Sequence, residues 1–493
     1  LRFQFIYSEE YWHERSQSSS RNDRFHPNLT EIDGAGVTTQ STGGSSSKEG
    51  LRSIVTKLNY DILDKYMLQA LIRWDASSKF SKGHQWGTFP SVSAAWRFSE
   101  EGFFEPLKDI VSNGKIRMSW GKVGNNSGVD RYYQKDTYSS YPYTFGNNVL
   151  VEGYAPYKLI DPNFTWESTA MTNLGLELSF FNNRLKMELD LYNKLTTSMI
   201  RPGQVSRLLS GLEAPDRNIG EMRNRGAEIS LSWQDQIADF SYGVGINYSY
   251  NKNKLLKWNE RLGRGDKFLG YPYEMVYTYK AIGIVQTWEE VANAPYQSDN
   301  LAPGDLLMED INGDGMIDSN DKVAMPNIMR YIPTSDFSIS FNADWKGFDL
   351  SMLFQGNAGR KNFWLDNFNN VNVYTSRYAF QEHHLDTWSP DNRGAKFPRL
   401  TSGSNGGFNQ EQSTFWLYSC DYIRLKNIQL GYRIPSKILK NIGVNSVRIH
   451  VSAENLFTIT KWPGLDPEKL PKSGSEIPYP LMKNYSLGIN ITL

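Results

Sequence analysis

Cysteine is nearly absent from this chain. Cys420 is the one thiol among 493 residues, which excludes an intrachain disulfide framework and a cysteine-based metal site. Long apolar runs are missing as well. No stretch reaches the ~18 consecutive apolar residues that would read as a transmembrane helix. Nor is there charge of one sign: Lys+Arg 53 balance Asp+Glu 53, for a formal net charge of +0. Without a basic field, nucleic acid is not indicated as a partner. Histidines are few and scattered. The His383-His384 pair has no carboxylate or further histidine at metal-binding spacing and reads as solvent-exposed loop. Catalytic signatures are lacking too: there is no G-x-S-x-G elbow and no H-E-x-x-H. The doublets Glu100-Glu101 and Glu289-Glu290 are more simply solvated turns or helix starts than acid–base pairs. No catalytic residue is assigned, and the chain is not read as an enzyme. Finally, Leu1 is not an initiator and no signal-peptide pattern precedes the first strand-like run. A chain of this composition needs export, so the front end of a longer protein is expected to be missing.

What is present is turn formers and aromatics: Gly 40, Trp 14, Tyr 28 and Phe 25. The mean hydropathy is nevertheless negative. That combination suits a barrel whose strands are apolar on the lipid side only, with polar lumen and loops. Ser335–Gln355 shows the pattern best. Phe337, Ile339, Phe341, Ala343 and Trp345 share one parity, and Ser338, Ser340, Asn342 and Asp344 the other. After Lys346-Gly347, Phe348, Leu350, Met352 and Phe354 alternate with Asp349, Ser351 and Gln355. Period-2 alternation gives each strand one apolar and one polar face, and the short break makes an antiparallel hairpin. Each arm is about ten residues, the length of a tilted membrane-spanning strand. Trp345 and Phe348 sit at the strand ends, where a bilayer interface would lie. A hairpin of a soluble sandwich would look the same in isolation.

The rest of the chain separates the two readings. Leu1–Tyr7 starts in strand pattern, Ser8–Gly50 reads as a long mobile polar loop with a Ser/Gly/Thr-rich stretch at Thr38–Ser47, and Leu51–Asp61 and Lys65–Asp75 form a hairpin. Strands follow around Val92–Phe98 and Ile116–Trp120, with a short helix possible over Glu100–Val111. Asn125–Trp166 is a Tyr/Gly/Asn-rich loop. Two more hairpins follow, at Leu174–Leu191 and Ala227–Tyr250, before the insertion Lys252–Thr334. Beyond the Ser335 hairpin comes the insertion Gly356–Ser419, then strands at Asp421–Tyr432, Ser446–Phe457 and Tyr485–Leu493. The total is about 14 strands whose connections alternate short and long, as short periplasmic turns and long extracellular loops do. The strand-like run Tyr271–Val285 breaks this parity and is placed inside the extracellular insertion. On the last strands, Ile449, Val451, Ile489 and Ile491 are expected to face lipid, and Arg448, His450 and Asn490 the lumen.

Several stretches resemble a known family: RWDASSKFSKGHQWGTFPSVSAAWRFSEE (Arg73–Glu101), NIGEMRNRGAEISLSW (Asn218–Trp233), GDLLMEDINGDGMIDSND (Gly304–Asp321), DYIRLKNIQLGYRIP (Asp421–Pro435) and SVRIHVSAENLFTITKWPGLDPE (Ser446–Glu468). They are similar to the SusC/RagA-type TonB-dependent outer-membrane transporters of Bacteroidetes, and the resemblance runs nearly end to end. Ala76 stands where that family usually has Gly, and Leu493 where an aromatic is usual. The resemblance implies an all-β antiparallel transmembrane barrel of roughly 22 strands, with residues 1–493 as its C-terminal part and the plug and first strands absent. A sheet with two open edges in lipid is not expected to form a transport-competent barrel alone. The resemblance also implies a Gram-negative outer membrane as the location and TonB-energised import of glycans, oligosaccharides or peptides. A SusD-like lipoprotein would cover the outer mouth, and TonB–ExbB–ExbD would act through the missing N-terminal part. The competing reading is a surface adhesin or binding barrel that does not transport.

Two sets of site residues follow. Aromatics in the long loops, Tyr141, Tyr143, Trp364, Trp388 and Trp416 foremost, can stack on sugar rings or a partner, or merely pack the loops. Within 252–334, the segment Asp310–Asp321 (DINGDGMIDSND) matches a twelve-position calcium loop. Asp310, Asn312 and Asp314 take positions 1, 3 and 5, Gly315 makes the sharp turn, Met316 offers its carbonyl, and Asp318 and Asp321 take 9 and 12. Calcium takes 6–8 hard oxygen ligands, and a short loop must fold around the ion to present them. Ile317 is apolar at position 8 and would anchor the turn. The plain alternative is an Asx-rich surface turn without metal.

Overall fold

The computed structural model describes the chain except residues 147, 204, 206, 259–268, 274, 365–379, 381, 402–407, 440–442, 470–478 and 493. Parts of both long insertions and the terminal Leu493 thus lie outside the described residues. The rest is dominated by a 14-stranded antiparallel sheet in which every strand pairs with its neighbour in sequence. The strands are β1 (Arg2–Ser20), β2 (Ser41–Ile62), β3 (Tyr66–Ser77), β4 (Trp86–Trp96), β5 (Val111–Asn125), β6 (Glu167–Phe180) and β7 (Leu185–Pro202). They continue as β8 (Asp216–Ile237), β9 (Phe240–Lys257), β10 (Ser335–Trp345), β11 (Phe348–Ala358), β12 (Tyr422–Arg433), β13 (Ser446–Thr460) and β14 (Asn484–Thr492). The sheet runs from β1 to β14 without closing on itself.

The hairpin of β10 and β11 forms as the alternation requires. Trp345 pairs with Phe348 across the Lys346-Gly347 turn, and both turn residues have positive φ, 47° and 91°. This is the turn whose twist matches that of the strands it joins. One face of the sheet is apolar yet exposed: Leu68, Val92, Met118, Leu174 and Leu430 are all open. An apolar surface this continuous has no place in water and marks a membrane-facing wall. Ile449, Val451, Ile489 and Ile491 lie on that exposed face. Arg448 reaches Asp349 from the other, so the alternation extends to the last strands.

The buried apolar cores lie mostly outside the wall, with Phe89 near the start of β4 reaching into one of them. They lie at the rim that carries the long connections. One joins Phe80, Phe89, Val129, Tyr133, Phe164 and Trp166. Another joins Val276, Phe363, Trp364, Phe397, Trp416, Cys420 and Trp462. A third holds Tyr279, Leu306, Met308 and Ile317.

Three readings of the sequence are corrected here. Ser8–Gly50 is not a loop throughout, because β1 and β2 pair without a break from Arg2↔Asn59 to Ser20↔Ser41. The Ser/Gly/Thr stretch has no apolar period, but the strand bases below it fix its register. Hydroxyl contacts such as Ser16 Oγ to Ser45 Oγ (2.7 Å) bridge the arms. Arg131 ties the ribbon to the connection after β5 through Glu14 (2.6 Å) and Glu49 (3.3 Å). His383 and His384 are not solvent-exposed loop residues. They lie in a 3-10 turn, Glu382–Asp386, with His384 buried and the His383 ring 4.9 Å from that of Trp364. Phe98 belongs to a 3-10 turn, Phe98–Glu100, and packs edge-on to Phe104 instead of extending β4.

Candidate functional site

The two longest insertions build one body. The run at Tyr271–Val285 supplies Met275–Thr278 and Ala281–Ile284. These pair with Val323–Met329 and Leu306–Met308 in small sheets separate from the wall. Residues from the insertion after β11 then close over them. Thr414 N donates to Tyr279 O at 2.9 Å. Leu306 N donates to Asn409 Oδ1 at 2.7 Å, and Asn409 Nδ2 to Asp305 Oδ1 at 2.7 Å. Arg399 holds the same carboxylate with both arms, at 2.6 and 2.9 Å. Buried polar groups paired this fully fix one arrangement of the two segments.

That body decides which aromatics are available. Trp416 is 0% exposed and donates Nε1 to Asn409 O at 2.9 Å. Trp364 is buried beside it, their ring centroids 6.4 Å apart. Both are core residues, so of the two roles open to them, ligand contact and loop packing, their burial supports packing. Trp388 is half-buried, its Nε1 bonded to Gln286 Oε1 at 2.9 Å. Tyr141 and Tyr143 are exposed in the connection after β5, Tyr143 on a small hairpin of Tyr143–Phe145 with Val149–Val151. Neighbouring Cys420 is sealed in the aromatic core, where burial pushes its thiol up to about 12, so it stays protonated and inert.

The acidic loop folds on itself in two halves. In the first, Asp310 accepts the amides of Gly313 (2.7 Å) and Gly315 (2.8 Å) on its two oxygens. Asn312 accepts from Asp314 N at 3.0 Å, and Asp314 from Met316 N at 2.9 Å. Gly313 and Gly315 both take positive φ, 73° and 82°, where a side chain would strain the turn. In the second half Asp321 is buried, its oxygens bonded to Ile311 N (2.9 Å) and Asp318 N (2.7 Å). Asp318 caps the following 3-10 turn through Asn320 N at 2.7 Å. Ile317 inserts into the core with Leu306 and Met308, as its apolar character suggests. Among the described residues no group of three or more His, Cys, Asp or Glu is placed to hold a metal ion. The donor set therefore fits calcium in part. Asp310, Asn312 and Asp314 are arranged by Asx turns, while Asp318 and Asp321 serve their own backbone.

Those bonds make an acid-sensitive element. The amide of Asp318, with those of Ile311 and Asn312, holds the Asp321 carboxyl below its ordinary value. A lowered folded value means its stabilisation is complete above about pH 4, the ordinary carboxylate range, and fades as pH falls through the lower folded value. Cleavage within 310–321 by an acid-active protease is expected to rise only below that range. Asp321→Asn should be cleaved already at neutral pH by a broad-specificity protease active there, under conditions in which the native loop is resistant. Equal cleavage of both proteins at neutral pH would contradict the assignment.

Sequence reasoning missed a cluster under the connection after β13. Arg424 is 2% exposed. It donates to Thr458 Oγ1 (2.8 Å), Glu468 Oε2 (2.7 Å) and Asp466 Oδ1 (2.9 Å). Arg360 caps the same turn through Pro467 O. The signal was present only as an arginine in β12 and two acids after Trp462: by count Arg424 shares the parity of Leu430, and the register shift between Leu425 and Asn427 turns it to the polar face.

The sequence matches the family model described as "TonB dependent receptor-like, beta-barrel" over residues 2–456. The TonB-dependent receptor P3 of Formosa agariphila is 29% identical over 490 residues, covering 93% of this chain and 47% of that protein. The TonB-dependent receptor SusC of Bacteroides thetaiotaomicron is 28% identical over 476 residues, covering 90% and 44%. The structure of the RagAB peptide transporter has the same fold, with a TM-score of 0.79 at 22% identity over 99% of this chain and 53% of that one. This chain thus spans about half the length of the curated relatives it matches.

Proposed function

This chain belongs to the TonB-dependent receptor-like β-barrel family, and from that membership we propose that it forms wall and mouth of an energised importer of large nutrients. The family comprises outer-membrane transport proteins, not enzymes. The cargo in this proposal is glycans, oligosaccharides or peptides. A SusD-like lipoprotein covers the outer mouth, and TonB–ExbB–ExbD supplies energy through the rest of the protein. One observation carries the reading: an unbroken meander of strands with its two largest insertions fused into one body at a single rim. Such a rim offers a preformed platform at the entrance, while short turns close the opposite side.

The test is uptake by living cells of labelled oligosaccharides and peptides, with and without the gene and with and without TonB. Uptake of at least one cargo should fall by roughly tenfold or more in both mutants, the drop expected when an energised step is removed and only leakage remains. Unchanged uptake with surface binding retained would favour a binding barrel.

We further propose that Asp310, Asn312, Asp314, the Met316 carbonyl, Asp318 and Asp321 hold a structural calcium that stiffens the rim body. The Asx turns of the first half and the two glycine bends support it. Each carboxylate oxygen keeps a lone pair beyond its amide bond. Binding is expected in the range of extracellular modules, about 10⁻⁴–10⁻³ M. Calcium titration of the complete transporter beside Asp310→Ala/Asp314→Ala measures it. Identical stoichiometry, and identical protease resistance with and without chelator, would remove the ion and leave the self-bonded turn.

A further inference from the structure

We infer that the membrane-facing side of the wall, at the rim end of β8 and β9, binds the phosphate-bearing headgroup of an outer-leaflet glycolipid, a lipopolysaccharide. Such a site concerns the lipid around the protein and holds whichever cargo is carried.

Strand register stacks four cations. Arg225 pairs with Lys252 and Arg223 with Lys254, so two like-charged pairs lie one above the other on one face. That face is the apolar one. Down the same parity, Ala227 pairs with Tyr250, Ile229 with Tyr248 and Leu231 with Ile246, and Ile246, Tyr248 and Tyr250 are all exposed. Lys252 and Lys254 are exposed too, whereas Asn253 between them is buried and accepts the amide of Tyr273 from the insertion at 2.7 Å. The lysines therefore point away from the rim body, towards lipid.

Strand length gives the level of this array. At the short-turn end, Trp233 Nε1 donates to Tyr242 Oη at 3.2 Å and Phe240 stacks on Tyr242. Tyr248 and Tyr250 close the apolar band at the other end, as a pair of aromatic girdles does. From Phe240 to Tyr250 a strand rising about 3.4 Å per residue and tilted by about 40° climbs about 26 Å, which matches an apolar band about 25 Å tall. Lys252 and Lys254 then stand about 5 and 10 Å above that band, at the depth of lipid headgroups. Long connections mark this end as the outer one.

Like charges directly opposite each other across a strand pair repel. Other cations of the wall have acids to meet: Lys257 pairs with Glu221 at 3.0 Å, and Arg52 with Glu9 at 2.9 Å. Among the described residues, no carboxylate lies within ion-pair distance of Arg223, Arg225, Lys252 or Lys254. Further strands of a longer barrel do not reach this place, because β8 and β9 are hydrogen-bonded on both flanks, to β7 and β10. A plug fills the lumen, on the opposite face.

The chemistry of the four suits phosphate. Asn193 Oδ1 accepts from Arg225 Nε at 2.9 Å, which orients the guanidinium and leaves its terminal nitrogens to an oxyanion. Arginine meets phosphate with a planar fork, and lysine adds a mobile point charge. An amphiphile matches the surface as a whole: acyl chains lie along Ile246 and Leu231, and the phosphate sits among the cations above the tyrosines. A soluble acidic ligand would match only the upper part.

The experiment uses the complete transporter in a neutral detergent, stripped of lipid. Four probes are compared: lipid A with its phosphates, the same lipid A after phosphatase treatment, inorganic phosphate, and an octapeptide alternating glutamate and serine. One variant is Arg223→Gln/Arg225→Gln/Lys252→Gln/Lys254→Gln. A second, Lys252→Gln/Lys254→Gln, leaves β8 untouched, and melting curves check the fold of both. The native protein should bind phosphorylated lipid A at least about tenfold more tightly than the dephosphorylated form, from a few-fold for each cation near an anionic headgroup. The quadruple variant should lose that preference yet bind the dephosphorylated lipid as the native protein does. The double variant should lose part of it, and high salt should shrink it in the native protein. Without lipid, both variants should melt no earlier than the native protein, since the opposed charges are gone.

An equal preference in the native protein and the quadruple variant overturns the inference. So does binding of inorganic phosphate or the acidic peptide as tight as that of phosphorylated lipid A. If acids of the protein itself neutralise the array, both variants will melt earlier with the lipid preference unchanged, which overturns it as well.

Discussion

Val451→Arg will block assembly of the barrel, while His450→Arg, one residue away, will be tolerated. Val451 is 51% exposed on the apolar face, opposite Leu430 on one side and Leu487 on the other. An arginine there sits in hydrocarbon, at a cost of roughly 2–4 kcal/mol near the bilayer centre. His450 points the other way. A Cβ built on Gly488 would lie 2.3 Å from its imidazole, so the ring covers that glycine on the polar face. Its surroundings include Arg448 and Asp349, and a cation on that side meets water and a carboxylate. The measurement is the yield of heat-resistant, protease-resistant protein in outer-membrane fractions. Equal yields from the two variants would mean that the faces are assigned wrongly.

Arg424→Leu will release the connection after β13 from the rim. Three side-chain acceptors depend on this guanidinium, and Asp466 is itself only 6% exposed. Removing one partner of a buried ion pair strands the other charge, at a cost of roughly 3–5 kcal/mol. The loss falls on residues 461–469, so proteolysis there should increase before the wall itself melts. Arg424→Lys keeps the charge but not the planar fork and should recover only part of the protection. Adding Asp466→Asn and Glu468→Gln to Arg424→Leu removes the stranded charges and should restore part of the melting temperature. If Arg424→Leu leaves cleavage in that connection unchanged, the cluster does not hold it.

The wall was readable because its physics is local. Alternation in Ser335–Trp345 and Phe348–Ala358 needs only neighbouring residues, and Lys346-Gly347 states the turn. The same holds for β13 and β14, where Ile449 and Ile489 pair on the exposed face. The ribbon of β1 and β2 was misread beyond Tyr7 because serine and glycine carry no period. Its upper pairing is inherited from register set below and from Arg131, which lies far along the chain. For Trp364 and Trp416 the sequence left packing and ligand contact both open, for a related reason. An aromatic in a polar loop looks available until the second insertion that buries it is in place. Asp310–Asp321 was legible as a loop of fixed geometry, and Ile317 as its anchor. The binding of Asp321 to Ile311 and Asp318 amides was not, since the same residue types serve a metal or a backbone equally well.

The body at the rim also makes a long-range check on how the wall is threaded. One half leaves the sheet after β9 and re-enters at β10, the other leaves after β11 and re-enters at β12, so the hairpin of β10 and β11 separates them. Tyr279 meets Thr414, and Leu306 meets Asn409, only if that hairpin delivers both chain ends to the same height. A slip by two residues keeps every side chain on its proper face, so the lipid does not detect it. It would shift one half against the other by about 6.8 Å, more than any hydrogen bond between them can stretch. A mis-threaded wall is thereby penalised outside the membrane, in water, by the failure of a core that the bilayer never touches.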